Sequence, residues 1–383
     1  MIKIGIIGLG NIGLAHAKTI FSGQVEGMTL AGICDIDPAK QELSNTLYPG
    51  VSFFHSHEDL LAADIEAVII SVPHPLHASL SIAAFQANKH VLVEKPADIT
   101  VSKARKMNEA AGDRVFGIMF NQRTGNLFQK AREIVKSGLL GQLKRTDWII
   151  TNWYRTQSYY DSGDWRATWA GEGGGVLMNQ APHQLDLWQW ICGMPEEIYA
   201  QCEIGKYHNI QVEDEVRLLA RFPGGATGSF TTSTGEFPGT NRLEIAGTLG
   251  KLVIEDGKLK WWRLQEDERS FCKTCKENYG KIPYTYEETE HIPVQGHKLI
   301  LQNFADAILK NTPLLSPGVE GINALSIQNA AYLSAWKGNW ISLPFDEEEY
   351  DRQLTLRQTE CIKKSTGKAE SNTDYSQRWQ INW

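Results

Sequence analysis

Four side chains able to hold or exchange a proton stand out by their neighbours: Lys95, Asn179, His183 and Asp186. Lys95 lies in Glu94-Lys95-Pro96, directly after the apolar run His90-Val91-Leu92-Val93. An ammonium at the carboxyl end of a strand can donate to a hydroxyl and stabilise the alkoxide that develops when a carbinol is oxidised. His183 has the one side-chain type here that exchanges a proton near neutral pH without a large shift. It follows the triplet Gly173-Gly174-Gly175 and stands four residues after Asn179 and three before Asp186. That spacing puts Asn179, His183 and Asp186 on one helix face, with Leu177, Ala181, Leu185, Trp188 and Cys192 as the core stripe opposite. Pro182 would break a bond in mid-helix, so the helix is expected to begin near Asn179, with Asn179 as its cap and Pro182 in the first turn. Asn179 can donate to one substrate hydroxyl and accept from another group. Asp186 reads equally well as a structural carboxylate.

These groups need a scaffold and a reaction partner, and the first hundred residues supply the pattern for both. Ile2-Lys3-Ile4-Gly5-Ile6-Ile7 is a β-rich apolar run suited to a buried parallel strand. Gly8-Leu9-Gly10-Asn11-Ile12-Gly13 follows at once and opens a helical pattern. A second strand, Met28 to Cys34, ends in Asp35, roughly twenty residues past the last glycine. In this context Gly8 permits a tight turn, Gly10 lets backbone approach a pyrophosphate, and Gly13 lets helix and strand pack closely. The helix N-terminus offers unpaired N–H groups to phosphates. Asp35 would accept the ribose 2′-hydroxyl and repel a 2′-phosphate, which favours NAD over NADP.

Strand and helix patterns go on alternating to Phe120, so the expected fold class is α/β: a Rossmann-type doubly wound parallel sheet followed by an α+β domain on a large, mostly antiparallel open sheet. Ligands of such parallel sheets sit beyond the carboxyl ends of the strands. Pro73, His74, Glu94, Lys95, Asn121 and Arg123 fall there. Beyond them lies an aromatic stretch in which Trp153, Tyr160, Trp165 and Arg166 are read as near the pocket, flat rings beside donors suiting a sugar, while most of the other rings read as core or interface. The candidate cofactor contacts are Gly8, Gly10, Asn11, Ile12, Gly13, Asp35, Ser71, Pro73, His74, His77, Glu94, Lys95, Asn121, Trp165 and Arg166. The candidate substrate contacts are Lys95, Arg123, Trp153, Tyr160, Trp165, Asn179 and His183. The expected domains are 1–123, 124–350 and a polar extension, 351–383, whose last residue, Trp383, suggests docking.

Composition narrows the rest. Across 383 residues, an apolar share of 42% and a charged share of 22% describe a soluble globular chain of two domains. A formal charge of -7 argues against nucleic acid or an anionic membrane as partner. No apolar run reaches the roughly 18 residues of a membrane span, and the first residues lead into a strand rather than an export signal, so a cytoplasmic protein is expected. Cys272-Lys273-Thr274-Cys275 has a suggestive spacing but no second ligand pair, so free thiols and no metal are expected.

The glycine loop, the Glu94-Lys95-Pro96 tripeptide and the Gly-Gly-Gly-x-x-x-Asn-x-x-x-His run from Gly173 to His183 together resemble the Gfo/Idh/MocA oxidoreductases, which include glucose–fructose oxidoreductase and inositol dehydrogenase. The resemblance spans roughly residues 1 to 345. It implies NAD(P)-dependent hydride transfer at a secondary alcohol of a sugar, glycoside or inositol. It implies Lys95 as catalytic lysine, His183 as catalytic acid/base, and a homodimer or homotetramer built through the open sheet. One position departs: the family usually has aspartate where Asn179 stands, and a neutral amide there makes His183 a weaker base than a carboxylate would. Two rivals keep the fold, an enzyme that eliminates a glycosidic bond through transient oxidation and a sugar-sensing regulator. Retention of both lysine and histidine argues against the second.

Overall fold

A computed structural model describes residues 1–163 and 165–360. The tail from Cys361, including Trp383, and Asp164 lie outside the described residues. The described chain divides into two compact units, residues 1–124, 171–173 and 295–325 in the first, and 125–170, 174–294 and 326–360 in the second. Residues 295–325, expected in the second domain, therefore belong to the first.

The first unit holds strands β1 (Ile2–Ile7), β2 (Met28–Cys34), β3 (Ser52–Phe54), β4 (Ala67–Ile70), β5 (His90–Val93) and β6 (Phe116–Ile118). They form one parallel sheet in the order β3-β2-β1-β4-β5-β6. Helices α1 (Asn11–Phe21), α2 (Ala39–Leu47), α3 (His57–Ala62), α4 (His77–Gln86) and α5 (Val101–Ala110) connect the strands. The strand order reverses between β1 and β4, the switch point at which such sheets take ligands. The near-continuous apolar strands β1, β4 and β5 are buried because helices cover both faces. Local chemistry sets the helix starts: the Ser56 side chain accepts from the Asp59 amide to cap α3, and Thr100 accepts from the Lys103 amide to cap α5.

Residues 295–325 join this unit for a packing reason. Ile300, Leu301, Phe304 and Ala305 on α11 (Gly296–Lys310) belong to the same core as Ile4, Ile6, Ile33, Ile69 and Leu92. The helical period of that segment was legible, but two domains could have received its apolar face, and sequence order suggested the wrong one.

The second unit carries α6 (Asn126–Lys136), α7 (Gln157–Asp161), α8 (Val176–Asn179), α9 (Pro182–Cys192), α10 (Glu268–Thr274) and a final helix over Glu347–Glu360, while the helix Gly321–Lys337 has its larger part here. Its strands are β7 (Leu143–Ile150), β8 (Glu197–Ile204), β9 (Glu213–Arg221), β10 (Thr227–Ser233), β11 (Asn241–Gly247), β12 (Gly250–Glu255), β13 (Lys258–Leu264), β14 (Tyr284–Glu290) and β15 (Ile341–Ser342). They form a nine-stranded sheet, β14-β13-β12-β11-β7-β10-β9-β8-β15, antiparallel except for the pair β10 and β7. A hairpin at Pro223-Gly224-Gly225 joins β9 and β10. Trp188 on α9 packs edge-on to Phe222 and tilted to Phe230, and its indole N–H donates to Thr146 on β7 at 3.0 Å. Period-2 alternation sends Val216, Leu218 and Ala220 inward and leaves Leu219 half exposed on the other face.

Arg123 is a correction. Its side chain is fully buried in the first unit, with Nη1 donating to Glu320 at 2.5 Å and to the Leu315 carbonyl at 3.2 Å. A guanidinium spent on these partners holds the 315–320 segment and does not reach a substrate. Because Glu320 keeps partial exposure, Arg123→Ala should cost about 3 kcal/mol, the low end for breaking a buried ion pair, measured by urea unfolding.

Candidate functional site

In the first unit the glycine loop leaves β1 and enters α1 with no side-chain cap, so the first amides of α1 have no partner from a capping residue. The three glycines answer to different constraints. A Cβ on Gly8, whose φ is +94°, would press against the Ser71 carbonyl, and one on Gly13 would collide with the Gly8 carbonyl oxygen. A Cβ on Gly10 would meet nothing within 4 Å. Packing therefore demands Gly8 and Gly13, while Gly10 faces the open space where a pyrophosphate would be held. Asn11 is exposed at the start of α1 and Ile12 half-buried behind it. Asp35 Oδ2 accepts from the Leu9 amide at 2.6 Å, which ties the end of β2 to the loop. These residues fit a dinucleotide.

The next strand ends complete this edge. The Ser71 hydroxyl contacts the Gly8 and Ile7 carbonyls at 2.8 and 3.2 Å, so it pins the loop. Pro73 is exposed, and His74 is buried with Nδ1 3.1 Å from the Glu172 carbonyl. His77 is a correction: it is fully buried and both ring nitrogens lie within 3 Å of carbonyls, Nδ1 2.7 Å from that of Pro96 and Nε2 2.9 Å from that of Val72. It clamps the turn after β5 to the turn after β4 and cannot also touch a cofactor. Burial pushes its pKa down, against the pull of both carbonyls and of Glu94. Glu94 is buried with its carboxylate turned toward His16, while Lys95 beside it is half-exposed. The Lys95–Pro96 peptide is cis. Asn121 is buried past the end of β6. The sheet edge thus gathers the glycine loop, Asp35, Pro73, His74, Lys95 and Asn121.

In the second unit the chemistry rests on Gly174 and Gly175. A Cβ on Gly174, at φ +155°, would strike the Tyr332 hydroxyl, and one on Gly175 would strike the Glu213 carbonyl. Glu213, fully buried on β9, accepts from the amides of Gly175 at 2.9 Å and Leu177 at 3.0 Å and from the Tyr332 hydroxyl at 2.7 Å. It thereby caps α8, which ends in Asn179. Burial raises the Glu213 carboxyl to about 7, with these donors pulling the other way.

Asn179 and His183 do not share one helix. The chain turns between α8 and α9, and the cap of α9 is Ala181, not Asn179, with Pro182 first in the helix as expected. Asn179 is buried and His183 half-buried. Asp186 is fully buried and accepts from Gln189 at 3.0 Å. Leu177, Ala181, Leu185 and Trp188 are core as expected.

The aromatic stretch divides. Tyr160 is a correction: it is buried, its hydroxyl is 2.7 Å from Thr234 Oγ1, and its ring packs 4.8 Å from that of His208. Trp153 is half-buried and Trp165 exposed. The Arg166 guanidinium lies 4.5 Å over the Trp165 ring and donates to the Tyr159 hydroxyl at 3.1 Å.

Sequence reasoning passed over Glu213 and Asp214. A run of three acids, Glu213-Asp214-Glu215, reads as solvated, yet all three are buried. Asp214 accepts from the Lys206, Tyr207 and His208 amides and from the His208 ring, closing the 206–208 turn. Only the neighbouring apolar positions Val212 and Val216 signalled that this run lies in a buried strand. His16 was passed over too, although Gly13, His16, Ala17 and Ile20 form one buried stripe of α1.

Fold and glycine loop together define an oxidoreductase with an NAD-binding Rossmann unit followed by a mixed α/β unit. The model of the oxidoreductase family with an NAD-binding Rossmann fold matches residues 2–116, and that of the GFO/IDH/MocA C-terminal domain matches residues 128–253. The chain belongs to the Gfo/Idh/MocA family and is an NAD(P)-dependent dehydrogenase. It is 25% identical to a levoglucosan dehydrogenase of Pseudarthrobacter phenanthrenivorans, over 90% of this chain and 98% of that protein. It is 27% identical to a myo-inositol 2-dehydrogenase of Thermotoga maritima, over 66% of this chain and 75% of that one. The crystal structure of the WlbA dehydrogenase from Bordetella pertussis in complex with NADH and UDP-GlcNAcA superposes with a TM-score of 0.76 at 25% identity, covering 90% of this chain and 98% of that one. Among the described residues no helix is long and apolar enough to cross a membrane, and no cluster of three or more His, Cys, Asp or Glu could hold a metal.

Two outcomes follow from the site. Gly10→Ala should leave the melting temperature unchanged and weaken NADH binding about tenfold or more, whereas Gly13→Ala should lower both; fluorescence titration and thermal melting separate them. Glu213 has a folded value above the ordinary 4.5. Its contribution to stability is therefore whole below about pH 4.5 and lost as the pH rises to about 7. The stability advantage of wild type over Glu213→Gln should narrow between about pH 5 and about pH 8 in urea unfolding.

Proposed function

We propose that the chain oxidises a secondary hydroxyl of a sugar, glycoside or inositol, or reduces the matching ketone, with NAD rather than NADP. The observation that carries this reading is the half-exposed Lys95 at the carboxyl end of β5, on the same sheet edge as the open space at Gly10 and the Asp35 carboxylate. The dinucleotide, when bound, supplies the hydride acceptor or donor. Gly8, Gly10, Asn11, Ile12, Gly13 and Asp35 would hold it, with His74, Asn121, Trp165 and Arg166 as further contacts.

Lys95 donates to the substrate oxygen and stabilises its developing negative charge. His183 takes the hydroxyl proton in oxidation and returns it in reduction. Asn179 orients the ring through its amide, and Trp153 and Trp165 offer flat surfaces to its C–H faces. The substrate class also draws support from the relatives, whose names are those of a myo-inositol 2-dehydrogenase and a levoglucosan dehydrogenase. Assembly as a homodimer or homotetramer, through the outward face of the nine-stranded sheet, belongs to the same reading.

A panel of sugars, glycosides and inositols, followed by NAD reduction with glycosidic products monitored in parallel, tests the reaction. Lys95→Ala should lower kcat about a hundredfold or more with NADH affinity held within about threefold. Normal turnover by that variant, or release of an aglycone with no net NADH, would overturn this assignment.

A further inference from the structure

Lys95 stands one residue past a buried carboxylate whose partners come from distant parts of the first unit. Glu94 directly follows β5, with 7% of its surface exposed. His16, on the inward stripe of α1, donates from Nε2 to Glu94 Oε1 at 2.8 Å. The Lys95 amide donates to Oε2 at 3.3 Å. His297, the second residue of α11, packs against His16 with ring centroids 5.8 Å apart. The Asn121 side-chain amide in turn donates to His297 Nδ1 at 3.4 Å. Helix α1 starts at the glycine loop and β5 ends at the lysine, so this buried chain of contacts joins the two.

Four titratable groups face Glu94: His16 from α1, His77 from α4, His297 from α11 and Lys95 in the adjoining turn. Burial alone would raise the Glu94 carboxyl. The His16 hydrogen bond and the charges of His16, His297 and Lys95 outweigh burial and bring it down to about 2. His297 is pushed down to about 4 by burial and then by His16, so its charge helps to hold Glu94 down only in acid and is absent near neutral pH. His77 is likewise held down by burial. A buried anion thus stays in place one residue before Lys95, within electrostatic reach of its ammonium. That ammonium must keep its charge while it donates a hydrogen bond to an oxygen beside an oxidised nicotinamide, whose positive charge favours the neutral amine.

We propose that Glu94, locked by His16 and walled by His297, is a positioning residue that keeps Lys95 cationic and fixes the turn presenting it. The proposal rests on the reading of Lys95 as the group that holds the substrate oxygen. His16 and His297 act through Glu94 and touch neither substrate nor the reacting atoms.

The test begins without substrate or cofactor. The pH dependence of Lys95 acylation by acetic anhydride is read by mass spectrometry in the full chain. Glu94→Gln keeps the shape and removes the charge, and should lower the Lys95 midpoint by about one unit. Glu94→Asp keeps the charge and should stay near wild type. If Glu94→Gln does not fold, the double variant His16→Gln with Glu94→Gln puts a neutral amide pair in the buried site and should show the same lowered midpoint. With a sugar that wild type oxidises, the alkaline limb of kcat/KM should move down by the same interval. An unmoved midpoint in the folded charge-free variant, or a moved midpoint with an unmoved limb, overturns the positioning role. A wild-type enzyme that oxidises no sugar would instead remove the functional reading, and the acylation midpoint would still decide whether Glu94 acts on Lys95.

Discussion

Backbone packed against backbone, with no room for a methyl group, is the constraint from which the candidate chemistry in each unit follows. In the first unit the carbonyl of Gly8 fills the space where a Cβ of Gly13 would go, so α1 starts hard against β1 and aims its first amides past the strand end. In the second, Gly175 lies against the Glu213 carbonyl and Gly174 against the Tyr332 hydroxyl, which sets where α8 begins and where Asn179 ends it. A close approach of this kind tolerates no gradual adjustment, because interiors at crystal-like density transmit any intrusion to their neighbours. The same steric fact that limits these positions to glycine makes the groups they carry precise in direction.

Around these contacts the protein buries an unusual set of ionisable side chains, and each is matched to a donor or a counter-charge. Glu94 answers to His16, Arg123 to Glu320, Glu213 to two amides and a tyrosine hydroxyl, and Asp214 to three amides and the His208 ring. Truncating one partner of such a pair leaves the other charged in a poor solvent, which is more damaging than the loss of a surface ion pair. Several of them tie together segments far apart in sequence: Arg123 holds residues 315–320, and Glu213 holds the turn into α8. They serve as fasteners, and of this group only Glu94 stands next to a residue assigned to chemistry.

Much of this could be read before any coordinates. A strand, a glycine loop, a helix and an acid at the end of the next strand form a local signature whose meaning depends on chain geometry over a few dozen residues. Pro182 in the first turn of α9 and the core stripe of Leu177, Ala181, Leu185 and Trp188 are equally local. The misreadings share one cause. Arg123, His77 and Tyr160 lie where a ligand contact is plausible by sequence, yet each is buried with its polar atoms committed to protein partners. Whether a polar side chain looks outward or inward depends on partners that sequence distance conceals: Glu320 is 197 residues from Arg123, and Thr234 is 74 from Tyr160.

By itself, then, the sequence determined the alternation of elements, the parallel and antiparallel sheets, the place of the nucleotide loop and the lysine at a strand end, because each follows from periodicity, glycine conformation or a short motif. Tertiary structure alone decided that residues 295–325 return to the first core, that three acids in a row on β9 are buried, and that His16 and Glu94 meet across 78 positions. The physical reason is that a short motif acts through neighbouring backbone, whereas burial and charge pairing arise only when distant surfaces exclude water together.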